Sequence, residues 1–391
     1  MKFYVDSRQK DSETFLTCIQ AAIDAAAAAG DEACEIMIAP GVYKERLSIT
    51  RSNLTIRGAG AENTVITSGL GGYEILSDGI KRGTFRTQTV FVHAHDVTIE
   101  NLTIENTAGP GRIAGQAIAL YADGDRLLFD SLRLLGHQDT LFCGPLPEKE
   151  VEPGGFRGPL EFAPRINGRQ YYRNCLISGN IDFIFGSATA YFEQCEINCR
   201  DPRSDSAVQS NGQGHLTDSD VQSNGQGHPT GSDAQSNGQG HPTGTTVSDT
   251  GNENTPCSSS HSETLGYITA PSTPEGQTYG FVFADCRITS DCPPHTFYLG
   301  RPWREYGRSV FIRCRMDAHI KQEGWDDWEK EKAHDTAFFA EYDCTGSGAD
   351  TSARASFARQ LNAAEAVAFD REHVLGGGDG WAKEMISPNG K

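Results

Sequence analysis

One short pattern returns along this chain and limits what it can fold into. It appears as NLTIRG from Asn53, VTIENLTIEN from Val97, LLFDSLRLLG from Leu127, YYRNCLISG from Tyr171, YFEQCEINC from Tyr191, FVFADCRIT from Phe281 and VFIRCRMD from Val310. Short alternating runs rich in β-branched and aromatic residues read as strands. Aligned, these runs place Asn101, Ser131, Cys175, Cys195, Cys286 and Cys314 at one equivalent position. Cys195 follows Cys175 by about one turn of a β-solenoid. Small or polar side chains at one stacked position suit an internal ladder between parallel coils. The alternative is a sandwich whose strands merely look alike. Ser12 to Gly30 reads as a helix capped by Asp11 or Ser12, with Leu16, Ile19 and Ile23 on one face, lying as a lid over one end of the stack. Leu361 to Phe369 reads as a second amphipathic helix, packed across the solenoid.

Within this frame one stretch carries an isolated charge. QYYRNCLISGNIDFIFG, Gln170 to Gly186, reads as a rung, a tight turn through Gly179 and Asn180, and a strand holding Asp182 among Ile181, Phe183, Ile184 and Phe185. A carboxylate among large apolar side chains loses hydration and is costly unless paired. It is either a satisfied structural charge or a reactive group. Other stretches add partners: GHQDTL with Gln138 and Asp139, QAIAL with Gln116, LGRPW with Arg301 and Trp303, and GVYKE from Gly41 to Glu45.

Taken in order, these motifs resemble the pectin methylesterases, the carbohydrate esterases that demethylate pectin. DFIFG with GRPW is a specific pair, and the resemblance runs from the N-terminus to about Trp381 with two interruptions. It implies an all-β fold, a right-handed parallel β-helix with a short N-terminal capping helix and a C-terminal helix and loop segment. It also implies roles. Asp182 is the nucleophile, kept ionised by Arg301. Asp139 is the acid and later the base. Gln116 and Gln138 donate to the oxyanion, and Trp303, Trp325 and Phe185 contact the substrate. Spacing alone does not say which aspartate attacks. Arg301 and Trp303 would share a face if they lay in a strand, and Trp303 could instead be core. Tyr43 and Glu45 read as structural, and His137 receives no role.

Residues 143–165 form the first interruption, with five prolines and four glycines among CGPLPEKEVEPGGFRGPLEFAPR. That composition opposes regular structure. The loop either walls a cleft or lies passively on the surface. Residues 201–263 form the second. QSNGQGH recurs at Gln209, Gln222 and Gln235, apolar residues are almost absent, and the tract reads as disordered. Its histidines, His215, His228 and His241, repeat with a polar linker rather than as metal ligands. The whole is read as one domain carrying two insertions.

Net charge is −18. The 201–263 tract holds eight acids and one base, which leaves −11 for the rest. Nucleic acid is a poor partner for such a chain. Such a chain should repel a fully de-esterified polyuronate, which is compatible with the partner that the resemblance implies, methyl-esterified pectin or oligogalacturonate, bound by a monomer. No run reaches the roughly 18 apolar residues that span a membrane. The start lacks a basic segment followed by an apolar one. That suggests an intracellular protein as the chain stands, or a secreted one whose leader was removed. The 11 cysteines are odd in number and scattered, which reads as reduced thiols in the core. Cys195 and Cys199 lack a second pair at ligand spacing, so neither zinc nor another cofactor is expected. A serine triad is not in view, since no GxSxG elbow occurs. Two further readings stand beside the esterase: a non-catalytic polyuronate-binding solenoid, and a pectate lyase or galacturonase. A lyase needs clustered aspartates for Ca²⁺, and none lies near Arg301 in the sequence.

Overall fold

The computed structural model describes residues 1–203 and 263–384. Every paired strand in it runs parallel to its neighbours. The strands fall into sheets of twelve, eight and seven, and successive coils add one strand to each in turn. Cys34–Ile38, Gly41–Tyr43 and Leu47–Ile49 make one such coil. This is a parallel β-helix, and the repeat in the sequence is its first-sheet rung.

The bore is filled by stacked aromatic rings. Phe129, Tyr172, Phe192, Phe283 and Phe311 pair in register on successive coils. Their ring centroids lie 4.8, 4.6, 4.4 and 4.5 Å apart in sequence. Each buried ring contributes about 2–3 kcal/mol of hydrophobic stabilisation. Beside them runs the expected thiol ladder, Cys175, Cys195, Cys286 and Cys314, which Cys344 extends by one coil. Each donates to a carbonyl of the preceding coil: Phe129, Tyr172, Phe192, Phe283 and Phe311.

The ladder differs from the sequence alignment by one residue at its start. Thr103, Arg133, Leu176 and Glu196 pair in register. Leu102 and Leu132 therefore occupy the cysteine position, not Asn101 and Ser131. Those two sit where each coil turns out of the first sheet, with φ of 57° and 55°. Asn174, Gln194, Asp285, Arg313 and Asp343 do the same on later coils. The turn needs a left-handed residue, which Asn and Asp tolerate best among non-glycines.

The N-terminal helix is shorter than expected, Ile19–Ala28, and begins later. Asp11 and Ser12 do not cap it. Asp11 accepts from the Thr17 N–H and Ser12 from the Phe15 N–H, and Phe15–Leu16 is the edge strand of the twelve-stranded sheet, paired with Lys2–Val5. The cap comes from a distant residue. The Glu45 carboxylate accepts from the N–H groups of Ile19 and Gln20, where the positive end of the helix favours an anion. Ile19, Ala22, Ile23 and Ala26 are buried against the end of the stack, as a lid requires. Near the C-terminus, Ala363–Ala366 is a single helical turn closed by an Asn362–Glu365 capping box. Phe369 just beyond it packs on Tyr279 and Phe338.

The first insertion leaves the strand Leu141–Cys143 and returns at Arg169–Arg173. It is no passive loop. Leu146, Phe156 and Leu160 are buried against Phe85, Phe142 and Phe185 on the outer face of the seven-stranded sheet. Arg165 ties it from within by donating to the carbonyls of Pro147, Leu160, Glu161 and Ala163. Of the second insertion, Arg203 bridges Asp201 and Glu263 at its two ends. The expectation of disorder concerns residues outside those described.

Candidate active site

The seven-stranded sheet brings the separated motifs together. The Ala117 N–H donates to the Gln138 carbonyl and the Asp139 N–H to the Ile181 carbonyl, each across one coil. Ile181 then pairs with Tyr267, and Tyr267 with Tyr298. Gln116, Gln138 with Asp139, Asp182 and Tyr267 thus lie on four successive coils. Gly179 makes the entry turn possible. A Cβ there would stand 2.3 Å from that of Phe183 and 2.7 Å from the His137 carbonyl. Gly111 does the same for Gln138, whose Oε1 would be 2.4 Å from an added Cβ.

Both aspartates adopt left-handed backbone, φ 62° at Asp139 and 49° at Asp182. The register also shifts between Ile181 and Ile184. Such a bulge re-aims a side chain, and here it parts Asp182 from the buried Phe183 and Ile184 beside it. Left-handed conformations cost of order 1–3 kcal/mol in non-glycine residues and collect at functional sites.

The two carboxyls live in different environments. Asp182 is held by Arg301 through two parallel bonds, Nε to Oδ1 at 2.9 Å and Nη2 to Oδ2 at 2.7 Å. Such forked pairing is the strongest a carboxylate makes with a side chain. Both partners are largely withdrawn from solvent, with side-chain exposures of 14% and 11% for Arg301 and Asp182. The guanidinium is in turn sandwiched, 3.8 Å from the Tyr267 ring centre and 3.7 Å from that of Trp328. Asp139 is buried, and burial pushes its carboxyl well above the usual range, the negative Asp182 adding to the effect and Arg301 opposing it. One carboxyl is paired with a fixed cation, and the other favours its proton. That division is what an acid and a nucleophile need. Gln116 and Gln138, both half-buried, supply amide donors on the coils just before.

The aromatic positions differ from expectation. Arg301 and Trp303 do not lie in a strand, which ends at Gly300. Arg301 turns to Asp182, while Trp303 stands against Phe185 at 5.7 Å and against Phe156 of the insertion at 6.4 Å. Phe185 is only 4% exposed. It continues a row, Phe91, Tyr121, Phe142 and Phe185, that pairs in register along the sheet and is covered by Phe85 and the insertion. It supports Trp303 instead of offering an open face. Trp325 is not at the cleft. It is 2% exposed, stacks on Phe339 at 4.5 Å and donates to Glu341. Trp328, three residues later in GWDDW, is the tryptophan that reaches Arg301. The left-handed backbone of Trp328 and Glu329, φ 53° and 55°, makes that change of direction. Tyr267, Trp328 and Lys330 are site residues to which sequence reasoning gave no role.

The geometry can be set beside known proteins. The family model described as Pectinesterase matches residues 7–145, 165–225 and 256–378. Its first gap, 146–164, falls within the first insertion. Pectinesterase 31 of Arabidopsis thaliana is 29% identical over 358 residues, which is 90% of this chain and 86% of that protein. The probable pectinesterase/pectinesterase inhibitor 23 of the same plant is 27% identical, and this chain spans about half of it, 49%. Among solved structures, the pectin methylesterase of Erwinia chrysanthemi superposes with a TM-score of 0.66 at 28% identity, covering 96% of both chains. A pectin methylesterase solved in complex with a hexasaccharide gives the same values.

Proposed function

This chain belongs to the pectinesterase family, and from that premise we propose that its cleft cleaves the methyl esters of pectin through two aspartates with divided roles. It is a carboxylic ester hydrolase acting on pectin. Asp182 is aligned by Arg301 and attacks the C6 ester carbonyl of a galacturonate methyl ester. The carbonyl oxygen takes up the negative charge, and the side-chain N–H groups of Gln116 and Gln138 donate to it. Asp139 gives its proton to the departing methoxide, which leaves as methanol. The uronate is then joined to Asp182 as a mixed anhydride. The Asp139 carboxylate next takes a proton from water, the hydroxide adds to the anhydride, and the free uronate leaves with Asp182 restored. The net change is ester plus water to acid plus methanol.

The observation that carries this reading is the contrast between the forked Arg301–Asp182 pair and the buried, proton-favouring Asp139 one coil away. A substrate with free carboxylates throughout would meet both aspartates in this cleft, which supports an esterified stretch as the reacting one. The experiment is methanol release from a methyl-esterified oligogalacturonate by the wild-type chain. A binding solenoid without turnover gives none. A lyase gives unsaturated ends instead.

A further inference from the structure

The arginine that aligns Asp182 is itself held by a chain of contacts that ends on a lysine. Trp328 lies on the Arg301 guanidinium, and its turn is made of two left-handed residues, Trp328 and Glu329, with no glycine to ease it. Lys330 follows at once. Its Nζ is 3.9 Å from the centre of the Trp328 ring. The same Nζ donates to the Pro302 carbonyl at 2.7 Å and approaches the Trp303 carbonyl at 3.5 Å. One ammonium therefore joins the turn carrying Trp328 to the segment carrying Arg301 and Trp303. Half-buried and tied this way, it has little freedom to act as a solvated surface charge.

We propose that Lys330 is a positioning residue for ester hydrolysis: its ammonium fixes Trp328 over Arg301, and so fixes the fork of Arg301 on Asp182. The inference rests on the reading that Asp182 attacks. Cation–π contact is strongest where water is excluded, and here one indole meets both Arg301 and Lys330. Without the lysine, the turn loses its side-chain tie to the Pro302–Trp303 backbone. Arg301 would keep its charge but lose one wall of its slot. Small losses of alignment at a reacting group cost rate more than affinity.

The charge on Lys330 also titrates where it can be read. Burial pushes its amine down to about 8, with Arg304 and Arg301 acting in the same sense and Asp182 and Asp326 opposing. The ammonium is present below that value and is lost as pH rises through it. Emission from Trp328 should register the step.

The test uses the full chain, Lys330→Met and Lys330→Arg, each checked for its melting temperature. Lys330→Met should lower kcat about tenfold, with KM within about twofold of wild type. Lys330→Arg keeps a cation that stacks on indole and donates to carbonyls, and should restore kcat to within about threefold. Tryptophan emission of the wild type should step near pH 8, and the step should vanish in both variants. Wild-type kcat in Lys330→Met, or a step that survives both substitutions, overturns the proposal. Absence of methanol release by the wild type would sink the esterase reading instead, while the emission titration still decides whether Lys330 contacts Trp328. Should Lys330→Met fail to fold, the arginine variant and the titration remain decisive.

Discussion

Asp139 and Asp182 stand on neighbouring coils, joined by the bond from the Asp139 N–H to the Ile181 carbonyl, yet only Asp182 is gripped by a guanidinium. Their different chemistry follows from this. The coil repeat fixes their closeness, and the single arginine divides their roles.

Asp139 gives the first prediction. Its folded pKa is raised, so the proton is bound more tightly in the folded state than in the unfolded one. Its contribution to stability is full below the unfolded value of about 3.9 and is lost as pH rises through the folded value. Asp139→Asn removes that loss. The variant should melt higher than wild type at neutral and alkaline pH, and methanol release should collapse, since an amide cannot donate the acid's proton and then act as base. A variant that melts lower across that range would contradict the burial argument.

Asp123 tests the same physics away from the cleft. It is buried at the foot of the first insertion, and burial raises its carboxyl to about 7, with Arg165 opposing. Its stabilising protonation is present below about 3.9 and is lost as pH rises through about 7. Asp123→Asn should therefore stabilise the protein at pH 8 by about 2–4 kcal/mol, with little change at pH 4. Denaturant melts at the two pH values give the comparison. Equal effects at both would mean that the carboxyl is solvated.

The insertion can be tested by its anchor. Phe156 is 5% exposed and meets Phe85 and Trp303 edge-on. Phe156→Ala should cost about 3–5 kcal/mol of stability and loosen Trp303, raising KM more than it lowers kcat. Wild-type melting behaviour would show that the loop is a passive cover.

Arg301 has a graded prediction. Arg301→Lys keeps the charge but loses the planar fork and the double stack, so little activity should remain. Arg301→Ala also removes the cation that favours an ionised carboxylate. Turnover should fall further. Affinity for methylated oligogalacturonate should change less than turnover. A large loss of affinity with turnover of the bound oligomer preserved would mean that Arg301 grips the substrate instead.

Much of this site was legible in the sequence because the solenoid repeats itself. Asp182 stood out as a charge in an apolar strand, and DFIFG, GHQDTL and LGRPW named its partners before any geometry was known. What escaped depended on direction. The period of a strand does not tell which of two tryptophans in GWDDW reaches the cleft, and two left-handed residues decide it for Trp328. Counting the rung from Tyr171 instead of Gln170 put Asn101 and Ser131 on the cysteine ladder, because the turn residue and the ladder residue are adjacent. The helix cap at Ile19 comes from Glu45, too far along the chain for a local capping rule. The docking of the first insertion depends on three apolar side chains, Leu146, Phe156 and Leu160, in a stretch whose proline and glycine content signalled only irregularity.

The central claim is that Asp182 forms the bond to the substrate. The direct measurement is methanol release by Asp182→Asn on a methyl-esterified oligogalacturonate, beside its melting temperature and its affinity for the same oligomer. An amide cannot form the anhydride, so turnover should fall by about four orders of magnitude or more, with the fold intact and the oligomer still bound. Turnover within about tenfold of wild type would contradict covalent attack by Asp182.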